Sequence, residues 1–409
     1  MYKDFSAGSA RSAFKRPVVA TQPFVRMLTT MDRRETEHLL DSIRAARTSG
    51  EPVALATVVR VRGSAYRREG TRMVVRRDGS YECALSGGCL EPIVAEAAER
   101  VISTGVPVIV NYDLADDSIW GLGIGCSGAV DVRIERLDDD DATRQWWASL
   151  ERGDAAVLVT PLATPAGGAE SAAKPRRLLV LPAGDTLGTL GDESIDREAA
   201  QRALERLRRP DPSPGSEWVG SDELFFEFST AAPALVIFGA GFDAVPMANF
   251  AWTLGFSVTV VDAREAFLTA DRFPHARLVA AHFSQFPVAV KLGAHTFALV
   301  MNHHLERDQE SLRFALESDA VYIGVLGPRA RLQNLLARLA ARQFAPSPAA
   351  LGRVRSPVGV ALGAETPAEI AVSVLGEILA IRRGFGGGFL NGSAATLHKS
   401  ADRRLLASS

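Results

Sequence analysis

At 409 residues the chain exceeds what one hydrophobic core usually organises, so two or three domains are expected. Its 47% hydrophobic and 23% charged residues exclude a disordered or fibrous chain, and no run approaches the ~18 apolar residues of a membrane helix. A formal charge of −2 with scattered basic side chains argues against a nucleic-acid partner, and three cysteines with no signal-peptide core point to a reducing cytoplasm.

The first 31 residues, basic and without apolar periodicity, read as a disordered arm, as a weak transit-like segment, or as the product of a start codon upstream of Met31. From Asp32 the texture changes, and Leu39, Leu40, Ile43 and Ala46 recur at helical spacing. Strand-like runs follow at Val53 to Val59 and Arg72 to Arg76, the second closed by the turn pair Asp78-Gly79. Ser86-Gly87-Gly88-Cys89 then leads into a helix from Glu91 to Ile102. A strand at Val106 to Asn111, a glycine-rich stretch around Cys126 and an alternating strand at Ala129 to Leu137 come next, ended by the acidic cluster Asp138 to Asp141.

Shifted by 105 positions, Arg72 to Ile102 overlies Arg177 to Leu207: Met73 meets Leu178, Gly79 meets Gly184, Leu85 meets Leu190 and Glu91 meets Asp196. Both copies read strand, turn, short strand, helix, with a preceding strand at Ala155 to Leu162 and a closing one at Leu224 to Phe228 in the second. A duplicated unit packed as a pseudo-symmetric pair is expected. The chemistry is not duplicated, since Asp192, Glu193 and Ser194 stand where the first copy has Gly87, Gly88 and Cys89.

Past the Pro-, Gly- and Ala-rich segments 164–175 and 208–215, the pattern becomes α/β. Strand runs at Ala234–Phe238, Ser257–Val261, Phe297–Met301 and Val321–Leu326 alternate with helical stretches at Asp243–Leu254, Asp308–Glu317 and Ala330–Arg342, as a parallel sheet covered on both faces requires. Thr366-Pro367-Ala368-Glu369 signals a last helix through a capping box. The expected architecture is α/β: an N-terminal α+β domain over 32–230 with the duplicated strand-turn-strand-helix unit, a Rossmann-like doubly wound domain over 231–384, and a flexible tail over 385–409.

Two constellations can carry chemistry. Gly239-Ala240-Gly241 follows a strand and opens a helix, and Asp262 ends the next strand 23 residues after Gly239. Gly239 would make the tight turn, Gly241 would let backbone N–H groups approach a pyrophosphate, and Asp262 would accept from a ribose hydroxyl; a fold of this type without nucleotide binding is the bland alternative. Ser86-Gly87-Gly88-Cys89 sets a thiol near a helix N-terminus, where the dipole lowers a thiol pKa, behind two glycines able to form an anion nest. The bland alternative here is a tight turn before a buried cysteine. Gly125 and Cys126 form a second glycine-flanked thiol, so that Cys89 and Cys126 are the candidate metal contacts. His303 follows a strand at the ligand-binding edge of the sheet, with Asp308 five residues on, and Cys83 reads as a packed apolar residue.

These motifs, in order, resemble the XdhC/CoxI family. The resemblance rests on Ala56-Thr57-Val58-Val59, Gly63-Ser64-Ala65, Ser86-Gly87-Gly88-Cys89 with Glu91, and the loop at Cys126 in the first half. In the second half it rests on Phe238 to Ala244, Val260 to Arg264, His303 with Asp308, Gly324 to Arg329 and Ser356 to Ala371. Phe242, Asn302, Ser127 and Pro328 depart from the family's usual residues, which puts catalysis by the C-terminal domain in doubt. The resemblance implies a non-catalytic chaperone that binds molybdenum cofactor, as molybdopterin or its dinucleotide, shields it while a cysteine desulfurase supplies sulfur, and inserts it into the large subunit of a xanthine dehydrogenase-type hydroxylase. It further implies a homodimer, with Cys89 and then Cys126 as contacts for cofactor or sulfur. An NAD(P)-dependent oxidoreductase using Gly239, Gly241 and Asp262, and a thiol sulfur carrier using Cys89, are the competing readings.

Overall fold

The structure, a computed structural model, describes residues 31, 33–63, 65–113, 128–137, 139–162, 176–209, 212–230, 232–389 and 391. Three sheets organise it, and the first two are copies of one another. Helix α1 (Arg33–Ser49) leads into β1 (Ala54–Gly63), β2 (Arg72–Val75), β3 (Tyr81–Glu82), α2 (Glu91–Thr104), β4 (Val108–Asp113) and β5 (Gly128–Arg136). Helix α3 (Asp141–Arg152) then restarts the series with β6 (Ala156–Pro161), β7 (Arg177–Val180), β8 (Thr186–Thr189), α4 (Glu193–Leu207), β9 (Gly215–Val219) and β10 (Asp222–Ser229). The strand orders are β3-β2-β1-β5-β4 and β8-β7-β6-β10-β9, all pairs antiparallel. The repeat is therefore longer than the sequence match, taking in a leading helix and two closing strands.

Helix α3 was not expected, because Asp138 to Asp141 reads as a strand stop. The same acids begin the helix: Asp140 accepts from the Thr143 N–H at 2.9 Å, and Trp146, Trp147 and Leu150 recur on the face that α3 buries. Alternation along each strand sorts the domain into layers. Ala54, Ala56 and Val58 of β1 face α2, where Val94, Ala98 and Val101 complete a core, and α4 covers the second sheet in the same way. Leu55 and Leu158 point the other way, into a shared core with Leu39 and Ile43 of α1 and Trp146 of α3.

The two copies meet through crossed ion pairs. Arg72 of the first reaches Glu227 of the second at 2.5 Å, and Arg177 of the second reaches Glu135 of the first at 2.7 Å. The register makes these equivalent residues: Leu55 pairs with Glu135 in the first sheet as Leu158 pairs with Glu227 in the second. Residue i touching j while j touches i is the signature of a two-fold interface, here contained within one chain. Arg72 also lies over the rings of Trp146 and Trp147, 5.8 and 4.9 Å from their centroids.

The third sheet has six parallel strands in the order β13-β12-β11-β14-β15-β16, namely β11 (Ala234–Phe238), β12 (Ser257–Asp262), β13 (Ala276–Ala280), β14 (Thr296–Val300), β15 (Tyr322–Val325) and β16 (Val354–Arg355). Its helices are α5 (Ala244–Thr253), the short α6 (Phe286–Ala289), α7 (Leu305–Leu316), α8 (Arg329–Ala341), the short α9 (Pro348–Gly352) and α10 (Pro367–Arg383). Helices α5 and α10 close one face and α7 and α8 the other, the doubly wound arrangement expected from the alternating pattern. The capping box at α10 forms as read, with Glu369 N–H donating to the Thr366 hydroxyl and Thr366 N–H to the Glu369 carboxylate. Strands β13 and β16 went unread: β13 has no clean alternation, and β16 is two residues long. Among the described residues no helix is long and apolar enough to cross a membrane.

Candidate functional site

The first site lies in the loop between β3 and α2. Strand β3 runs alongside β2 toward the end of the sheet where Gly63, Asp113 and Gly128 terminate β1, β4 and β5, so the loop heads for that same end. Its anchor is Glu91, 1% exposed, whose two oxygens accept from the Ser86 N–H and the Ser86 hydroxyl, both at 2.7 Å. The Ser86 oxygen in turn accepts from the N–H groups of Gly88, Cys89 and Leu90 at 3.1–3.2 Å. This changes the expected nest. Its N–H groups do converge, but on the serine hydroxyl, which fills the place a phosphate oxygen would take.

What the loop offers outward is the half-buried thiol of Cys89, two residues before the first residue of α2. Leu90, the N-cap, supplies no side-chain cap. Gly88, with φ of +111°, adopts a backbone that other residues avoid, and a Cβ at Gly87 or Gly88 would meet nothing within 4 Å, so the surface around the thiol is open. Cys83 packs against the core shared by α1 and α3, as expected, and in addition sits in the left-handed region at φ +67° and donates its S–H to the Glu35 carbonyl at 3.4 Å. Gly125 and Cys126 lie outside the described residues. Among the described residues no group of three or more His, Cys, Asp or Glu could hold a metal ion.

The second site is the crevice where β11 and β14 lie side by side and the chain turns away in opposite directions, the switch point at which open α/β sheets bind ligands. Gly239 makes the expected turn at φ +118°; a Cβ there would fall 2.5 Å from the Met301 carbonyl oxygen. At Gly241 a Cβ would fall 2.8 Å from Asp243 Oδ1, so a side chain there would push aside the carboxylate at the N-cap of α5.

Asp262 ends β12 as read, but it is not an open ribose acceptor. Its side chain has no exposed surface; Oδ2 accepts from the Ala240 N–H at 2.9 Å, and Arg264 takes Oδ1 through its N–H at 2.8 Å and both oxygens through its guanidinium. Burial raises its carboxyl pKa, yet these hydrogen bonds and the Arg264 charge outweigh that and hold it below the usual range. A ribose hydroxyl would have to displace them. Asp308 likewise does not face His303: it is buried, accepts from Asn302 N–H at 2.9 Å and pairs with Arg331.

The partner of His303 is Asp243, which the sequence pattern did not reveal. His303 Nε2 lies 2.6 Å from Asp243 Oδ2. The histidine holds a left-handed backbone at φ +55° with its ring 59% exposed, whereas Asp243 is buried and its Oδ1 has no hydrogen-bond partner. A left-handed non-glycine residue costs about 1–3 kcal/mol and an unsatisfied buried polar atom a similar amount, and such costs concentrate at functional sites. Beside the pair, Phe242 is the most exposed aromatic of the crevice, with the Arg272 guanidinium 5.8 Å from its ring centre.

Comparison with known proteins adds independent findings. The XdhC and CoxI family model matches residues 46–113, and the XdhC Rossmann domain model matches residues 235–378. A probable xanthine dehydrogenase subunit from Bacillus subtilis (strain 168) is 33% identical over 338 residues, 81% of this chain and 94% of that protein. The molybdenum cofactor insertion chaperone PaoD of Escherichia coli (strain K12) is 24% identical over 340 residues, 82% of this chain and 85% of its own. A crystal structure of a xanthine dehydrogenase from Bacillus halodurans superposes with a TM-score of 0.68 at 27% identity, covering 87% of this chain and 98% of that one.

Proposed function

The chain belongs to the XdhC and CoxI family, and from that premise we propose that it binds molybdenum cofactor and inserts it into a xanthine dehydrogenase-type molybdenum hydroxylase. The observation that carries the proposal is similarity over about four-fifths of the chain, with a family model matched in each kind of domain, to proteins named for that enzyme and for that insertion step. Cys89 is the residue through which the cofactor would be met. Its thiol suits a soft metal centre, and its half-buried position on an open glycine loop suits a contact that forms and is given up again. The molybdenum supplies that soft centre; this chain supplies one thiol and a loop held by Ser86 and Glu91. The loop's own N–H groups, already taken by the Ser86 hydroxyl, do not suit the cofactor's phosphate.

The reading extends to holding the cofactor while a cysteine desulfurase sulfurates it, and to acting as a cytoplasmic homodimer without catalysing a reaction of its own. An NAD(P)-dependent oxidoreductase is supported less well, because Asp262, the ribose acceptor it would use, is sealed by Ala240 and Arg264. To test the proposal, the chain is purified from cells making molybdopterin and mixed with an apo-hydroxylase. Activity restored in proportion to the cofactor carried is expected; an apo-hydroxylase that free cofactor activates equally well contradicts it.

A further inference from the structure

We propose that the cavity between the two copies of the N-terminal unit binds one small monatomic anion of the halide class, held by Arg72, Trp146 and Trp147. The proposal goes beyond cofactor delivery and stands or falls separately from it. The cavity measures about 20 Å³ and is lined by both crossed ion pairs, Arg72 with Glu227 and Arg177 with Glu135, and by the two tryptophans. That is room for one monatomic ion, or a water or two, and too little for phosphate or sulfate.

The donors around this cavity lack acceptors. Arg72, 2% exposed, gives Nη2 to Glu227, but its Nε and Nη1 have no partner among the described residues. Neither has Nε1 of Trp146 or Nε1 of Trp147, and both rings are buried. Three side chains that line one void thus carry four buried donor nitrogens, each costly to leave unpaired. The equivalent arginine of the second copy shows no such shortage, since Arg177 reaches Glu135, Asp140 and Thr143. The deficit belongs to Arg72 and the tryptophans alone. A water accepts about two hydrogen bonds and must place its own two, whereas a halide accepts from every N–H around it and donates none.

Charge points the same way. The groups packed about the cavity cancel while all are ionised, Arg72, Arg133 and Arg177 against Glu135, Asp140 and Glu227, with the exposed Arg136 beyond them. Glu227 can tip this balance. Burial and the neighbouring Glu135 charge raise its carboxyl above the usual value, against the pull of Arg72 and Arg177. Protonation there leaves the Arg72 charge without its counter-charge beside the void, the condition in which a buried cation most needs an anion. Anion and proton therefore enter together.

The test uses bromide as the probe. Crystals of the full chain grown in sodium bromide should show, at the bromine absorption edge, an anomalous peak in this cavity. In solution at one ionic strength, the melting temperature should be about 2–4 °C higher in sodium bromide or chloride than in sodium gluconate, and the increment should saturate with halide concentration. It should also be larger at about pH 5 than at about pH 8, because halide binding takes up a proton. Trp147→Phe keeps the ring and removes one unpaired N–H. It should weaken the halide about tenfold while melting no lower than the unmodified chain in gluconate, an outcome that loss of a merely structural tryptophan would not give. If Trp147→Phe does not fold, the bromide peak on the unmodified chain decides alone. The proposal is overturned if the cavity holds only water in bromide crystals, if halide and gluconate give the same melting temperature, or if the halide increment grows as pH rises.

Discussion

The two halves of the N-terminal region share a strand order and a loop anchor yet treat the start of the following helix differently. In the second copy Asp196 accepts from the Leu190 N–H and the Thr189 hydroxyl, both at 2.7 Å, while Asp192 caps α4 through the N–H groups of Ser194 and Ile195. In the first copy Glu91, the residue equivalent to Asp196, holds Ser86 in the same way, but no side chain caps α2 from its N-cap position; two glycines and a thiol occupy the place of Asp192, Glu193 and Ser194. The second loop is a well-capped piece of scaffold. In the first, the carboxylate anchor is retained and the cap has given way to an open, thiol-bearing turn.

The crossed ion pairs are also unequal under the same symmetry. Glu135 faces both Arg133 and Arg177; burial pushes its carboxyl up, but the two guanidinium charges prevail and hold it at about 2. Glu227 is bonded to Arg72, with Arg177 farther off and the charge of Glu135 opposing them, and there burial wins and raises the carboxyl above its usual value. Equivalent positions therefore contribute to stability with opposite dependence on pH.

The largest effect that would break this comparison is at Glu227. Glu227→Gln removes the one ion-pair partner that buried Arg72 has among the described residues and should cost about 3–5 kcal/mol in urea unfolding, against about 1–2 kcal/mol for Glu135→Gln, where Arg177 keeps Asp140 and Thr143 and Arg133 keeps the Pro161 carbonyl. Equal costs would show that the copies are electrostatically alike. The pH profiles sharpen the point. Glu135, depressed in the folded chain, contributes stability that is complete above the ordinary glutamate range and is lost as pH falls toward about 2. Glu227, raised in the folded chain, favours the fold at acid pH, and its contribution is lost as pH rises through its folded value. Stability measured against pH should lose much of its acid limb in Glu135→Gln and keep it in Glu227→Gln.

Next in size is the anchor. Glu91→Ala, which removes two hydrogen bonds from a buried carboxylate, should cost about 1–3 kcal/mol, and Asp196→Ala, at a more exposed position, about 1 kcal/mol, both read from chemical denaturation. Asp192→Ala removes a cap and should cost about 0.5–2 kcal/mol, whereas Ser194→Ala, at the position of Cys89, should stay within ~0.5 kcal/mol. A large loss from Ser194→Ala would mean that this position is structural in both copies.

Much of this was legible in the sequence for a definite reason. A gapless spacing of 105 residues survives in Met73 and Leu178, Gly79 and Gly184, and Glu91 and Asp196, since the same turn and the same anchor must form twice. The glycine turn at Gly239 was legible because backbone geometry there allows no side chain. What escaped depends on side chains brought together by folding. Asp243 and His303 are 60 residues apart on different loops, and Arg72 and Glu227 are 155 apart on different sheets. Asp262 sits where the fingerprint requires, yet its neighbour Arg264 decides that it is closed, and no spacing rule carries that information.

The account turns on the first loop being where the cofactor is met. Molybdenum bound per chain, measured in protein purified from a molybdopterin-producing host, tests this most directly when Cys89→Ser is set beside the unmodified chain. The account predicts that the variant melts at the same temperature and loses most of its molybdenum. Equal molybdenum in both proteins would contradict it.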